Sequence, residues 1–150
     1  MRLIPSLRSI LLSCAVALLV SPMAHAREMV SVAKQVNMRS GAGTQHDALW
    51  LLEPGYPLQV VDRRGAWLRV RDFENDRGWV YRPLTNKVRH HVVKSKAANI
   101  RQRPSTRAPI LGRAVYGEVL KTVERREGWV KVRQSGGTQG WVANRLLWGW

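Results

Sequence analysis

The pentapeptide Trp67-Leu68-Arg69-Val70-Arg71 is followed, after six intervening residues, by Gly78-Trp79-Val80. The same spacing returns as Trp129-Val130-Lys131-Val132-Arg133 and Gly140-Trp141-Val142, displaced by 62 positions (67 to 129). Successive side chains of a β-strand leave on opposite faces. Leu68 and Val70 therefore share one face, and Trp67, Arg69 and Arg71 the other. In the second stretch Val130 and Val132 oppose Trp129, Lys131 and Arg133. An aliphatic face turned inward leaves an indole beside cationic groups facing outward.

Extending the 62-residue displacement aligns residues 36–85 with 98–147 without a gap. Identical pairs include Asn37/Asn99, Arg39/Arg101, Thr44/Thr106, Leu49/Leu111, Gly55/Gly117, Val61/Val123, Arg63/Arg125, Arg64/Arg126 and Leu84/Leu146. The chain is thus a duplication, and two copies are too few for a solenoid. Each copy reads as short strands broken by turn signals: Ser40-Gly41-Ala42-Gly43, Pro54-Gly55, Arg64-Gly65 and Pro83-Leu84 in the first, Tyr116-Gly117, Arg126-Glu127-Gly128 and Gly136-Gly137 in the second. Val92 to Lys96 matches Val30 to Lys34, which predicts a lead-in strand for each copy. No window carries a helical period, so the fold class is all-β. A unit this small buries only about 60% of its unfolded surface. Curling its sheet into a barrel lets every strand share one core and hides edges. The expected organisation is two tandem small barrels, residues 27–86 and 87–150, after a leader at 1–26.

The series Asn-x-Arg, Leu, Gly, Trp-x-x-Val, Gly-Trp-Val, Leu resembles the bacterial SH3-like domain. It runs through Asn37-Met38-Arg39, Leu49, Gly55, Trp67 to Val70, Gly78-Trp79-Val80 and Leu84, and again through Asn99-Ile100-Arg101, Leu111, Gly117, Trp129 to Val132, Gly140-Trp141-Val142 and Leu146. The resemblance implies two barrels of five to six strands and a role in binding cell-wall peptide or glycan. The chain departs from the family after Asn-x-Arg, where Gly-Pro-Gly or similar is usual. Here Gly41-Ala42-Gly43 and Arg103-Pro104-Ser105 stand instead.

The 150-residue chain opens with Arg2 and Arg8, an apolar run from Ile10 to Val20, and Ala24-His25-Ala26. Those are the parts of a cleaved secretory signal peptide, and an eleven-residue run is too short to span a bilayer. A lipoprotein signal ending at Cys14 fits less well, because the apolar run continues past the cysteine. The expected location is therefore secreted across the inner membrane, in the periplasm. Cys14 is the sole cysteine, so a chain cut after Ala26 has no disulfide, thiolate nucleophile or thiolate-bound zinc.

Formal net charge is +15. Residues 36–85 hold seven Lys and Arg against six acids, whereas 98–147 hold ten against three and the connector 86–97 adds four with no acid. The basic field belongs to the second copy and favours anionic partners. Outside the cytoplasm these are peptidoglycan or another anionic envelope polymer, including lipopolysaccharide, and anionic lipid, rather than nucleic acid. An envelope protein held by groove or edge-strand contacts is the alternative partner.

Aromatic and arginine side chains supply the candidate ligand-binding set: Trp50, Tyr56, Trp67 and Arg71 in the first copy, Tyr116, Arg126, Trp129 and Arg133 in the second. Indoles stack on sugar rings or peptide planes, and a guanidinium pairs with carboxylate. Asn37/Asn99 and Arg39/Arg101 read as structural, with Asn supporting the turn through a side-chain hydrogen bond, and Trp79 and Trp141 as packing residues. Trp50 matches Gly112, so it is either specific to the first site or packed against the second unit. The ending Leu147-Trp148-Gly149-Trp150 is expected to fold back over the junction of the two units. Asp72, Glu74 and Asp76 lack a calcium-loop series, and His90-His91 point to opposite faces of a strand, so no metal or cofactor is expected. No Gly-x-Ser-x-Gly, His-Glu-x-x-His or phosphate loop occurs, and His46 matches Ala108, so the expectation is a binding protein and not an enzyme.

Overall fold

A computed structural model describes residues 26–150. The signal-peptide reading, Ala26 apart, lies outside the described residues. The first unit runs β1 (Met29–Val32), β2 (Val36–Arg39), β3 (Ala48–Leu52), β4 (Pro57–Arg64), β5 (Trp67–Arg71), β6 (Arg77–Tyr81), a 3-10 turn at Arg82–Leu84, and β7 (Thr85–Asn86). The second repeats it as β8 (His90–Val93), β9 (Ala97–Arg101), β10 (Ile110–Val115), β11 (Val119–Arg126), β12 (Trp129–Arg133), β13 (Gln139–Ala143), a 3-10 turn at Asn144–Leu146, and β14 (Leu147–Gly149). Strands β4, β5 and β6 map onto β11, β12 and β13 residue for residue at the 62-position displacement. The lead-in strands anticipated from Val30 and Val92 are β1 and β8.

Each unit is one antiparallel seven-stranded sheet, ordered β3-β2-β6-β5-β4-β1-β7 and β10-β9-β13-β12-β11-β8-β14. These exceed the five to six strands expected, and the barrels are not closed: no ladder joins β3 to β7 or β10 to β14. Closure is achieved by packing. The long strands carry register slips at matching places, between Val60 and Asp62 and between Thr122 and Glu124, and such bulges coil a sheet. Coiling gathers Val30, Met38, Leu52, Leu58, Leu68, Val70 and Val80 into one core, with Leu84 of the 3-10 turn against it. Ile100, Leu120, Val130, Val132, Val142 and Leu147 do the same in the second unit. The face assignment read from the Trp67 and Trp129 strands holds, since Leu68, Val70, Val130 and Val132 are all buried. Gly55 and Gly117, at φ +89° and +79°, make the turns into β4 and β11 in a conformation side chains disfavour.

The chain's end folds back as expected. β14 pairs with β8, setting Trp148 opposite Val92, and the Trp150 indole N–H donates to Ser31 Oγ of β1 at 3.3 Å. His90 Nδ1 lies 3.2 Å from the same hydroxyl, so Ser31, fully buried, ties both units together. His90 and His91 take opposite faces of β8, with His91 buried and its Nδ1 2.6 Å from Thr122 Oγ1. Among the described residues no helix is long and apolar enough to cross a membrane.

Burial, with the Arg125 charge second, pulls the His91 imidazole down to about 4 from 6.5. Between those values the unfolded chain binds a proton that the folded one refuses, so stability falls as pH is lowered through that window. His90 is lowered too, chiefly by burial, and works in the same direction; Asp72, raised by burial, opposes it. Urea unfolding from pH 7 to 4 is expected to show a loss of up to roughly 3 kcal/mol from His91. His91→Gln should flatten that slope. An equally steep slope in the variant would contradict the assignment.

Candidate functional site

Each unit carries a cleft on the outer side of its coiled sheet, and the two clefts are built from equivalent positions. The first, of 520 Å³, is lined by Asn37 and Arg39 of β2, Thr44 of the following loop, Trp67 opening β5, Tyr81 closing β6, and Leu84 of the 3-10 turn. The second, of 370 Å³, places Asn99, Arg101, Thr106, Trp129, Ala143 and Leu146 at the same points. Cross-strand pairing sets the walls: Trp67 faces Tyr81 in the β5–β6 register, with ring centroids 5.4 Å apart, whereas Trp129 faces Ala143. The second indole therefore lacks the aromatic neighbour of the first.

One guanidinium shapes the rim of each cleft. Arg39 Nη1 donates to the carbonyls of Thr44 (3.3 Å) and His46 (2.9 Å), and Arg101 Nη1 to that of Ala108 (2.9 Å). Both loops also close alike, Ser40 N–H donating to Asp47 O and Gln102 N–H to Pro109 O, each at 2.9 Å. The loops at Gly41-Ala42-Gly43 and Arg103-Pro104-Ser105 thus close on matching hydrogen bonds although their sequences differ. The turn support expected of Asn37 and Asn99 comes instead from Arg39 and Arg101, while Asn99 Oδ1 accepts from Arg113, and all four line the clefts.

The two clefts differ in charge. In the first, Arg39 is the one cation among the lining residues, accompanied by Gln35, Gln45 and Asn37. In the second, Arg113 and Arg145 join Arg101, and no carboxylate lines it. Arg113 Nε touches only Asn99 Oδ1, at 3.4 Å. Neither arginine forms an ion pair among the described residues. An indole beside two guanidinium groups without a carboxylate partner among the described residues suits a ligand that is flat on one side and carries carboxylate on the other.

Trp67 and Trp129 sit in these clefts; the other sequence candidates do not gather around them. Arg71 and Arg133 share a face with the indoles but stand four residues along the strand, about 13 Å away at 3.3 Å per residue. They are held outside by Gln59 (2.8 Å) and by Gln139 (2.9 Å). Arg126 lies over the Trp141 ring at 4.8 Å and bonds Glu124 Oε1 at 2.9 Å. Arg64 covers Trp79 equivalently at 5.3 Å. The Gly-Trp-Val indoles are thus packing residues as expected, on the outer face under a guanidinium; Trp141 is only 5% exposed.

Tyr56 and Tyr116 do not line a groove; they flank the contact between the units. Their rings lie 6.4 and 5.4 Å from Phe73, Tyr56 donates to Asp72 Oδ2 at 3.3 Å, and Tyr116 donates to Glu74 across the junction. Burial first, then Asp72, pushes the Tyr56 hydroxyl far above its ordinary range. Asp72 also accepts the Glu74 and Asp76 N–H groups, which commits its carboxylate to ordering that hairpin. Trp50 stands 55% exposed on edge strand β3 between Leu49 and Leu51, apart from either cleft. The lining residues not proposed as binding residues, Asn37, Arg39, Thr44, Leu84 and their partners, were marked in the sequence by their identity in both copies. Tyr81, Arg113 and Arg145 carried no such mark.

Bacterial SH3 domain families match residues 32–87 and 96–147, and the chain belongs to the bacterial SH3 domain family. YrvJ of Bacillus subtilis (strain 168), whose name assigns it to the N-acetylmuramoyl-L-alanine amidases, is 22% identical over 131 residues. That match covers 80% of this chain, which spans a quarter of YrvJ. Among solved structures, an NlpC/P60 family protein from Bacillus cereus ATCC 10987 aligns at TM-score 0.38 and 12% identity over 81% of this chain and 56% of that one. NlpC1 from Trichomonas vaginalis aligns at 0.38 and 13%, over 85% and 47%.

If Arg101 is the clamp of its loop, Arg101→Ala should speed amide exchange at Gln102 and Ala108 while the β12 and β13 amides keep their protection. Unchanged exchange at both loop amides would show that the loop holds itself.

Proposed function

We propose that the protein is a non-catalytic binding protein, exported by its leader to the periplasm, whose two clefts recognise peptidoglycan through its stem peptide or glycan. The observation that carries this reading is the duplicated cleft: the same Asn, Arg, Thr, Trp and Leu positions are assembled twice, each around an accessible indole. Bacterial SH3 domains are cell-wall-binding modules, and the amidase name of YrvJ points to the same polymer. Wall peptides offer carboxylates and peptide planes, and wall glycan offers sugar faces. Trp67 beside Tyr81 suits an uncharged face, and Trp129 beside Arg113 and Arg145 suits a carboxylate.

A second reading rests on a separate feature. Edge strands β3 and β10 expose Leu49, Trp50 and Leu51, and Ile110 and Leu111. Such edges accept an added strand from an envelope protein.

Co-sedimentation with purified sacculi at low and physiological salt separates the two. Wall recognition predicts retention at physiological salt, lost by more than about tenfold when Trp67 and Trp129 are both replaced by alanine, with far-UV circular dichroism unchanged. Retention at low salt alone, or full retention by the double variant, would contradict it. Loss of all wall binding with capture of an envelope protein dependent on Trp50 would favour the adaptor.

A further inference from the structure

A third concavity, of 420 Å³, opens where the C-terminal strand crosses the junction of the two sheets. Arg27 and Met29 wall it from the first unit, and Lys94, Arg125, Trp148 and Trp150 from the second. Its shape follows from contacts already described. β14 pairs with β8, the Trp150 indole is tied to Ser31, and the Arg27 guanidinium lies 5.9 Å from the Trp148 ring. His91, buried, lines it as well.

The charges around this cleft are uncompensated by side chains. Among the described residues no Asp or Glu lines it. The ion pairs among the described residues are Arg63–Glu28, Lys87–Glu28 and Arg126–Glu124, and none involves Arg27, Lys94 or Arg125. Glu28, next in sequence to Arg27, is already shared by Arg63 and Lys87. Three cations drawn around two indoles repel one another, and a bound anion relieves that repulsion. A carboxylate brings one negative charge. A phosphate monoester brings about −1.5 to −2 at pH 7, with three acceptor oxygens that match guanidinium forks and an ammonium together.

We propose that this junction cleft binds a phosphate monoester, its phosphate set among Arg27, Lys94 and Arg125 and its organic body packed against Trp148 and Trp150. The site is separate from the paired clefts and does not rest on the wall-binding reading. It exists only when the C-terminal strand is docked, because both indoles and the Arg27 contact depend on that docking.

Calorimetric titration of the purified protein with phenyl phosphate, at physiological salt, tests the assignment. Saturable one-site binding is expected, with benzoate at least about fivefold weaker. Arg125→Ala and Lys94→Ala should each weaken phenyl phosphate by about tenfold, the size of one charge-assisted hydrogen bond. Arg77→Ala removes the same charge from β6, remote from the cleft, and should leave affinity unchanged. The assignment is overturned by absence of saturable binding, by benzoate binding as tightly, or by an equal loss in all three variants, which would indicate net charge alone. Glycerol 1-phosphate and phosphatidic acid vesicles then distinguish a soluble ester from a lipid headgroup. Arg125-dependent binding of either supports the site, and binding of neither overturns it.

Discussion

Strands β6 and β13 cross so close to β2 and β9 that only hydrogen fits between them. A Cβ on Gly78 would lie 2.5 Å from Met38 Cγ and 2.9 Å from the Arg39 carbonyl, and one on Gly140 2.5 Å from the Arg101 carbonyl. This approach brings the first strands of each sheet against its middle, with Arg39 opposite Trp79 and Arg101 opposite Trp141. Two consequences follow from one contact. The core seals without a closing ladder, because β2 and β3 deliver Met38 and Leu52 onto the aliphatic face of β5, and β9 and β10 deliver Ile100 and Ala114 onto that of β12. The outer face folds into a cleft whose walls come from β2, β5 and β6, or from β9, β12 and β13.

That outer face is divided between two indoles in each copy. The Gly-Trp-Val indole is covered by the arginine ending β4 or β11, which removes an apolar plane from water through its guanidinium and methylene stem. The indole opening β5 or β12 has no such cover and lies in the cleft. Shared positions keep the frame the same in both units, and substitution at the rim changes the chemistry: Tyr81 against Ala143, and Leu51 and Pro83 against Arg113 and Arg145. Two of the second copy's additional cations, Arg113 and Arg145, thereby have a place at one cleft.

The strands and their faces were legible in the sequence because a two-residue alternation is a local property, and because the duplication printed it twice. Val30 and Val92 announced β1 and β8 for the same reason. The open ladder was not legible, since whether β3 meets β7 depends on how far a seven-stranded sheet coils, which no local pattern encodes. Alternation alone set Trp67 and Trp129 on the outer face, where the structure places them in the clefts. Arg71 and Arg133 misled because sharing a face does not imply sharing a site when four residues of extended strand intervene. Tyr56, Tyr116 and Arg126 were drawn elsewhere by partners remote in sequence, Asp72, Glu74 and Trp141. Ser31 gave no hint of its role, because its importance lies in what the last residue of the chain does to it.

In the proposed recognition, of the indoles on the two outer faces, those of Trp67 and Trp129 meet the ligand and those of Trp79 and Trp141 do not. Indole N–H signals resolved by two-dimensional NMR, followed while soluble muropeptide is added, test it directly. Progressive, saturable shifts of the Trp67 and Trp129 signals are expected, with Trp79 and Trp141 stationary. Shifts confined to the arginine-covered pair, or equal movement of all four, would contradict it.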